Sequence, residues 1–504
     1  MRLLEASLAC RRRARACARE LEEVTRAASS SREDAMIRWY AAAAVVTYTH
    51  ASNLEALARR VTNDYTSRLV RDPEADVYAP NDRARDVIGG HYVAPLRLAA
   101  LKRPRLLAVA NGTLALLGID RTETHRAAFA QVFSGGDPKS SALRPLHANA
   151  WATPYALSIY GSEQVTDGGV GDGYGDGRAA SLCVVDSTWE LQLKGSGRTP
   201  FARSGDGAAV VRSSTREFLA SEAMHALGVP TTRALSLVAS FDETVDRPWY
   251  SQQSQFDQFY RPVQHGGDVL RKEFRAITTR VSSSFVRVGS IELFARRYRR
   301  TGDPSAKREL ESLLWYVQAA EDFARADWLL AEAVEAMALE ARGRFISMAL
   351  HWIRVGYAQS NFNSDNCLVG GKTVDYGPFG LVERYSPGWS MWIGGGEHFA
   401  FMNQVEAAHR NWVTLVDSLA ILVDDPSPLE AAKTGFAAEA RWAEAAMWAA
   451  KLGLVDASSV ATPIDWTRVA LPAGTAEAAL ELWAGANALM TGGDEPYADW
   501  TIFW

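Results

Sequence analysis

Hydrophobic and polar positions divide the chain into two kinds of region. Over residues 154–240 the pattern changes every few residues, passing through glycine-rich stretches, short alternating runs and one segment of helical period. The segment from Ser305 to Tyr357 ("SAKRELESLLWYVQ…HWIRVGY") has helical spacing almost throughout, and the chain from about 405 onward is again helical and rich in Ala and Trp. Residues 34–64 also carry Ala-rich helical spacing, while 65–150 are mixed, with turns at "RDPEAD" and "YAPND". Residues 241–270 are polar and aromatic without a period, which predicts a long loop or a boundary between lobes. The order predicts an α+β protein with an N-terminal extension (1–64), a mixed α/β lobe (65–245), a helical lobe (246–404) and a helical C-terminal region (405–504).

Within the mixed region, "TWELQLKGSG" alternates cleanly. Trp189, Leu191 and Leu193 face one way, and Glu190, Gln192 and Lys194 the other, the period of a half-buried strand. Lys194 leaves the polar face just before a glycine turn, where an ammonium can neutralise phosphate. The helical segment that follows has Ser214 and Glu217 spaced as a capping box, with Gly228 and Pro230 as its stop. Glu217 therefore has two readings, closing the helix start or pairing with Lys194. Between them the composition around Asp206 and Gly207 predicts a turn. Further on, "CLVGGKTV" reads as a hairpin closed by Gly370-Gly371. Counting outward sets Cys367 opposite Val374 and Asn366 opposite Asp375, so an amide oxygen and a carboxylate could share a divalent cation. Asp365, one residue outside, turns to the other face unless the strand has ended, and is a candidate base.

Glycines at 168, 169, 171, 173, 175 and 177, followed by Arg178, suit a loop whose N–H groups cradle an anion, although no P-loop pattern is present. Arg280 and Arg287, seven residues apart, could each fork onto phosphate. The four cysteines form no CxxC pair, so neither a zinc site nor a disulfide framework is expected. A net charge of -5 gives no reason to expect nucleic acid, and no apolar run is long enough to predict a membrane span. The first nineteen residues hold one acid, Glu5, among many Arg, Ala and Ser. They read either as a mitochondrial presequence or as the basic first turn of a helix, so the expected compartment is mitochondrial in the first case and cytoplasmic otherwise.

The order of these elements is that of a protein kinase: glycine loop, strand lysine, helix glutamate, helical lobe, Asn, then "DYG" in place of Asp-Phe-Gly. There is no His-Arg-Asp loop. Over roughly residues 65–420 the chain resembles the selenoprotein O family, through "GYGDGRAASL", "WELQLKGSGRTPFARSGDGAAVVRSSTREFLASEAMHALGVPTTRALSL", "TTRVSSSFVRVGSIELF", "NFNSDNCLVGGKTVDYGPFG" and "GGGEHFAFMNQ". The resemblance implies a two-lobed kinase-like fold that binds ATP in a flipped orientation and transfers AMP to Ser, Thr or Tyr hydroxyls of proteins. It further implies that Gly175, Gly177, Arg178, Lys194, Asp206, Gly207, Arg280 and Arg287 bind ATP, and that Glu217 orients the lysine. Asp365 would be the proton acceptor, and Asn366 and Asp375 would hold Mg²⁺ or Mn²⁺. The chain departs from the family at Gln359-Ser360, where many members have His-Gly, and at "YGSEQVTDGG", where they have "GGHQFG". It ends in "YADWTIFW" without a selenocysteine or cysteine motif, so control through such a tail is not expected. A non-catalytic ATP-binding scaffold and an ordinary phosphotransferase are the alternatives.

Overall fold

The computed structural model describes residues 53–164, 174–251, 268–323, 329–391, 397–456 and 462–491. The basic N-terminal segment, most of the helix expected over 34–64 and the glycines at 168, 169, 171 and 173 lie outside the described residues. The part of 34–64 that is described holds one short helix, α1 (Leu54–Arg59).

The chain is mixed α+β. Its main sheet is antiparallel and runs in the order β1 (Arg105–Val109), β7 (Arg233–Trp249), β8 (Val269–Ser282), β5 (Trp189–Lys194), β4 (Ala179–Val185), with β6 (Ala209–Val210) also on β8. The leucines expected on one face of β5 do pack together: Leu191 and Leu193 join Ile277, Val281, Leu235 and Phe129 in an apolar cluster. The other face is not solvated as a half-buried strand would be. Glu190, Gln192 and Lys194 are 1%, 0% and 7% exposed, because the helices and the 361–375 segment cover them. A polar face buried in this way must be hydrogen-bonded or ion-paired throughout, which makes it the natural place for a site.

The loop expected over 241–270 is corrected at both ends. β7 continues to Trp249 and β8 begins at Val269, and the two strands stay paired out to that last register, Trp249 opposite Val269. Both faces of this arm meet solvent, so its residues carry no apolar alternation; ion pairs such as Arg212–Glu273 and Lys272–Asp246 dress it instead. The lobe boundary expected after residue 245 therefore falls inside a strand, and β8 keeps the chain in the sheet as far as Ser282.

Helix α5 (Val211–Ala226) packs on β7 and β8. The helical half begins with α6 (Val288–Thr301), which ends at Gly302 in the left-handed conformation. α7 (Pro304–Glu321) restarts at once, with the Asp303 carboxylate accepting from Ser305 N and Pro304 in the first turn. α8 (Leu330–Arg354) is the central rod, buried on almost every side over its second half, with Phe345, Ile346, Met348, Leu350 and Trp352 in the largest apolar cluster. α9 (Gln404–Leu419), α10 (Ser427–Lys451) and α11 (Thr475–Thr491) close the tail, as the Ala- and Trp-rich spacing predicts. Trp412 of α9 donates its indole N–H to the Ala338 carbonyl at 2.7 Å, tying α9 onto α8. Among the described residues no helix is long and apolar enough to cross a membrane.

Candidate active site

Sheet and helices leave a cavity of about 780 Å³ between them. Eleven of the twelve residues singled out from sequence line it: Gly175, Gly177, Arg178, Lys194, Asp206, Gly207, Arg280, Arg287, Asp365, Asn366 and Asp375. The twelfth, Glu217, lies directly behind the lysine.

Register explains how the charged groups meet. Lys194 stands opposite Thr278, and Gln192 opposite Arg280, so β5 and β8 present lysine, glutamine and arginine on one face. Lys194 Nζ reaches Glu217 Oε2 at 2.6 Å and also donates to Asp375 Oδ1. Arg280 is engaged on every edge: Nε donates to Glu217 Oε1, one terminal nitrogen to Gln192 Oε1 at 3.0 Å, and the other to Asp375 Oδ1 at 2.9 Å. Two cations and two carboxylates thus neutralise one another out of water. Burial opposes ionisation of Asp375, but Lys194 and Arg280 outweigh it and hold the carboxyl far below the ordinary range. The same balance of burial against Arg280 and Lys194 lowers Glu217. Lys194 itself is lowered, first by burial and then by Arg280.

The capping-box reading of Ser214 and Glu217 is overturned. α5 starts at Val211 with Val210 as its cap, so Ser214 is already inside the helix and Glu217 lies in its second turn. Helix and sheet dock so that this turn faces β5, and the ion pairs with Lys194 and Arg280 claim the carboxylate.

The two described glycines of the glycine loop are required by close packing. A Cβ on Gly175 would come within 2.3 Å of the Phe201 ring, and one on Gly177 within 2.8 Å of the Phe201 carbonyl oxygen. Gly207 has a positive φ of 70°, and a Cβ there would strike the Gly197 backbone at 2.1 Å. Beside it, the Asp206 carboxylate accepts both arms of Arg247 (2.7 and 3.0 Å) and the Ala208 N–H. Arg178 is exposed at the cavity wall.

The hairpin expected at 367–374 is shifted by one residue. Cys367 stands opposite Thr373 rather than Val374, and Leu368 bridges to Arg287. The turn closes from Gly371 N to Leu368 O at 2.9 Å, with Gly371 alone of the two glycines at positive φ, so it is not the two-residue turn on which the counting rested. Asn366 and Asp375 are consequently not ladder partners. Asn366 ends a 3-10 turn (Ser364–Asn366), Asp375 has a left-handed φ of 58°, and both reach the cavity from irregular backbone.

That 3-10 turn also settles Asp365. The strand has ended, so its side chain points into the same cavity. The turn is pinned by Ser364, whose Oγ accepts from Ser158 N at 2.6 Å and donates to the Ala156 carbonyl at 3.2 Å. Asp365 Oδ1 is buried without a hydrogen-bond partner. Burial pushes its carboxyl up to about 6, with the Arg287 cation opposing and Asp375 adding to the rise.

A divalent cation fits this corner. Asn366 donates its amide N–H to the Asn361 carbonyl at 3.0 Å, leaving its oxygen for another partner, and Asp365, with its orphaned oxygen, and Asp375 line the same cavity. Among the described residues no cluster of three or more His, Cys, Asp or Glu forms an all-protein cage. Few protein ligands, all oxygen, suit a hard divalent cation that keeps part of its shell for water and substrate.

Several residues in the cavity wall went unnoticed in the sequence: Asp176, Tyr155, Phe201 and Arg247; Gln192, already placed on the polar face of β5, lies just behind. Asp176 sits inside the glycine turn, which was the available signal. The departures at 359 and 360 are structural ties. Gln359 donates to the Val374 carbonyl at 3.0 Å, and Ser360 Oγ accepts from Met391 N at 2.9 Å.

A cleft that concentrates cations and hard oxygen donors has the chemistry of a phosphate-binding protein. Comparison with known proteins narrows the class: residues 81–255 and 262–473 match the family model described as protein adenylyltransferase SelO, and the chain belongs to that family. It is 35% identical over 418 residues to the protein nucleotidyltransferase YdiU of Azoarcus sp. (strain BH72), covering 80% of this chain and 70% of the relative. The proteins of the same name from Xanthomonas axonopodis pv. citri (strain 306) and Aromatoleum aromaticum are 37% identical over 410 residues and 35% over 414. These alignments cover 79% and 78% of this chain, and 69% and 68% of the respective relatives.

Proposed function

We propose that the protein is an adenylyltransferase that moves AMP from ATP to a Ser, Thr or Tyr hydroxyl of a protein, with release of pyrophosphate. The observation that carries this reading is the buried Lys194–Glu217 pair meeting Asp375 across the cleft, beside the orphaned oxygen of Asp365. We read the sheet half and the helical half as the two lobes of a kinase-like fold with the nucleotide between them.

In this reading the glycine turn at 175–177, with Arg178, Asp206 and Gly207, lines the nucleotide. Lys194 and Arg287 face its phosphates. Asn366 and Asp375 would hold Mg²⁺ (or Mn²⁺), which when bound supplies positive charge to the phosphate oxygens. The acceptor oxygen attacks the α-phosphorus as its proton passes to Asp365, whose elevated pKa of about 6 suits a base near neutral pH. The bond from the α-phosphorus to the bridging oxygen breaks, and pyrophosphate leaves with the electron pair. Fixed cations stabilise the charge gathering there, usually the largest single catalytic contribution. For the basic N-terminus we propose two readings, a mitochondrial presequence or, with a cytoplasmic protein, the basic start of a helix; sequencing the mature N-terminus from cells decides between them.

The test is label transfer. With Mg²⁺ and candidate proteins, ATP labelled at the α-phosphate should label protein, and mass spectrometry should find added AMP. ATP labelled at the γ-phosphate should leave protein unlabelled. Label from the γ position alone would make the protein a phosphotransferase. ATP binding without any modified protein would make it a scaffold.

A further inference from the structure

The two arginines of the cleft differ in a way that the sequence does not reveal. Every edge of Arg280 is occupied, by Glu217, Gln192 and Asp375. Among the described residues the Arg287 guanidinium makes one hydrogen bond, from a terminal nitrogen to Asp176 Oδ1 at 2.8 Å. Its Nε is buried without a partner, and among the described residues its second terminal nitrogen makes no hydrogen bond. We infer that Asp176 is the positioning residue that aims Arg287 at the nucleotide's phosphates, while Arg280 also organises Lys194, Glu217 and Asp375. This rests on the nucleotide-binding reading of the cleft given above.

Asp176 is suited to the task because its own orientation is set by other groups. It is 2% exposed. Its Oδ2 accepts from Thr153 N at 3.0 Å and from Thr153 Oγ1 at 2.6 Å, which leaves Oδ1 turned to Arg287. Its backbone is held as well: its N–H donates to the Thr153 carbonyl at 2.9 Å, and its carbonyl accepts from Thr199 Oγ1 at 2.6 Å. The flanking glycines let Phe201 close over the turn, so the acid points inward. On its other side the Arg287 guanidinium lies over the Tyr155 ring, 4.2 Å from the centroid. A carboxylate at one corner and an aromatic face beneath fix the plane of the fork and leave the remaining N–H groups for the cavity, which Tyr155, Asp176 and Arg287 all line. A buried arginine with unpaired donors is costly unless a ligand completes it, and an anion of several oxygens does so.

The experiment uses the full chain and ATP with Mg²⁺, read by calorimetry and by α-label transfer. Asp176→Asn should weaken ATP binding about tenfold, as expected when one charge-assisted contact loses its orientation. Arg287→Ala should weaken it at least as much, and Asp176→Asn added to Arg287→Ala should do nothing further. Thr153→Val removes the hydroxyl that locks Asp176 and keeps the volume; it should act in the same direction, by a smaller factor, and carries the test if Asp176→Asn does not fold. Multiplying effects of Asp176→Asn and Arg287→Ala would overturn the inference, as would a lower melting temperature with unchanged ATP affinity in either single variant. A wild-type chain that binds ATP but transfers no label would sink the proposed reaction while leaving this comparison of affinities intact. No ATP binding by wild type would sink both.

Discussion

Replacing Glu190 by Gln should make the protein more stable at pH 8 and leave it unchanged near pH 4.5. Glu190 sits on the buried polar face of β5, 1% exposed. Burial pushes its carboxyl up to about 7, against hydrogen bonds from Ser181 Oγ and Phe285 N that favour the ion. In the unfolded chain it titrates near 4.5. Between those values the folded protein holds a proton that the unfolded chain has released, so stability falls as pH rises through this window. The gap between 4.5 and about 7, at about 1.4 kcal/mol for each pH unit, bounds the loss at about 3.5 kcal/mol. Glutamine has the shape and donor of the protonated acid and cannot ionise. Urea unfolding at pH 5, 6, 7 and 8 should show a difference in stability, variant minus wild type, that grows steadily and levels off above pH 7. A difference independent of pH, or a variant less stable at pH 8, would refute the reasoning.

Three further outcomes are expected. Glu217→Ala leaves Lys194 and Arg280 buried with one acid between them, and should cost about 3–5 kcal/mol in denaturant unfolding, as broken buried pairs do, together with most label transfer. Gly175→Ala drives a methyl into the Phe201 ring, so stability should fall by about 1–3 kcal/mol in urea unfolding, as overpacking does; an unchanged midpoint would contradict the account of the turn. His351 donates from Nε2 to the Ile464 carbonyl and accepts from Arg354 at Nδ1, and burial with the Arg354 charge lowers its pKa to about 3. The unfolded chain therefore takes up a proton there first as pH falls below about 6.5, so His351 contributes stability above that pH which is lost toward 3, and His351→Gln should show a shallower acid loss in a urea series.

Much of the site was legible because its chemistry is local. The alternation of "TWELQLK" placed Lys194 and Gln192 on one face, and glycine spacing located the turn at 175–177. What stayed hidden depends on long-range contact. Whether Glu217 caps a helix or pairs with a lysine is decided by where α5 starts, and β6 running straight into Val211 is a tertiary fact. The β7–β8 arm lacked a period because neither face is buried. Counting from the glycine pair failed because Arg287 and Thr231 compete for the backbone of Leu368 and Thr373, so the two segments never form a regular ladder. Asp176 resembled any loop acid until Arg287, far along the chain, came to rest against it.

The backbone at Asp375 carries a consequence for how the protein can fail. Its left-handed φ is comfortable for Gly, Asn and Asp and for few other residues. Glutamate would keep the charge but lose that tolerance, so no acidic substitute is at hand. The two replacements that suit this backbone, Asn and Gly, are both uncharged and would leave Lys194 and Arg280 with Glu217 alone. At this position, therefore, no other residue keeps both the backbone conformation and the charge.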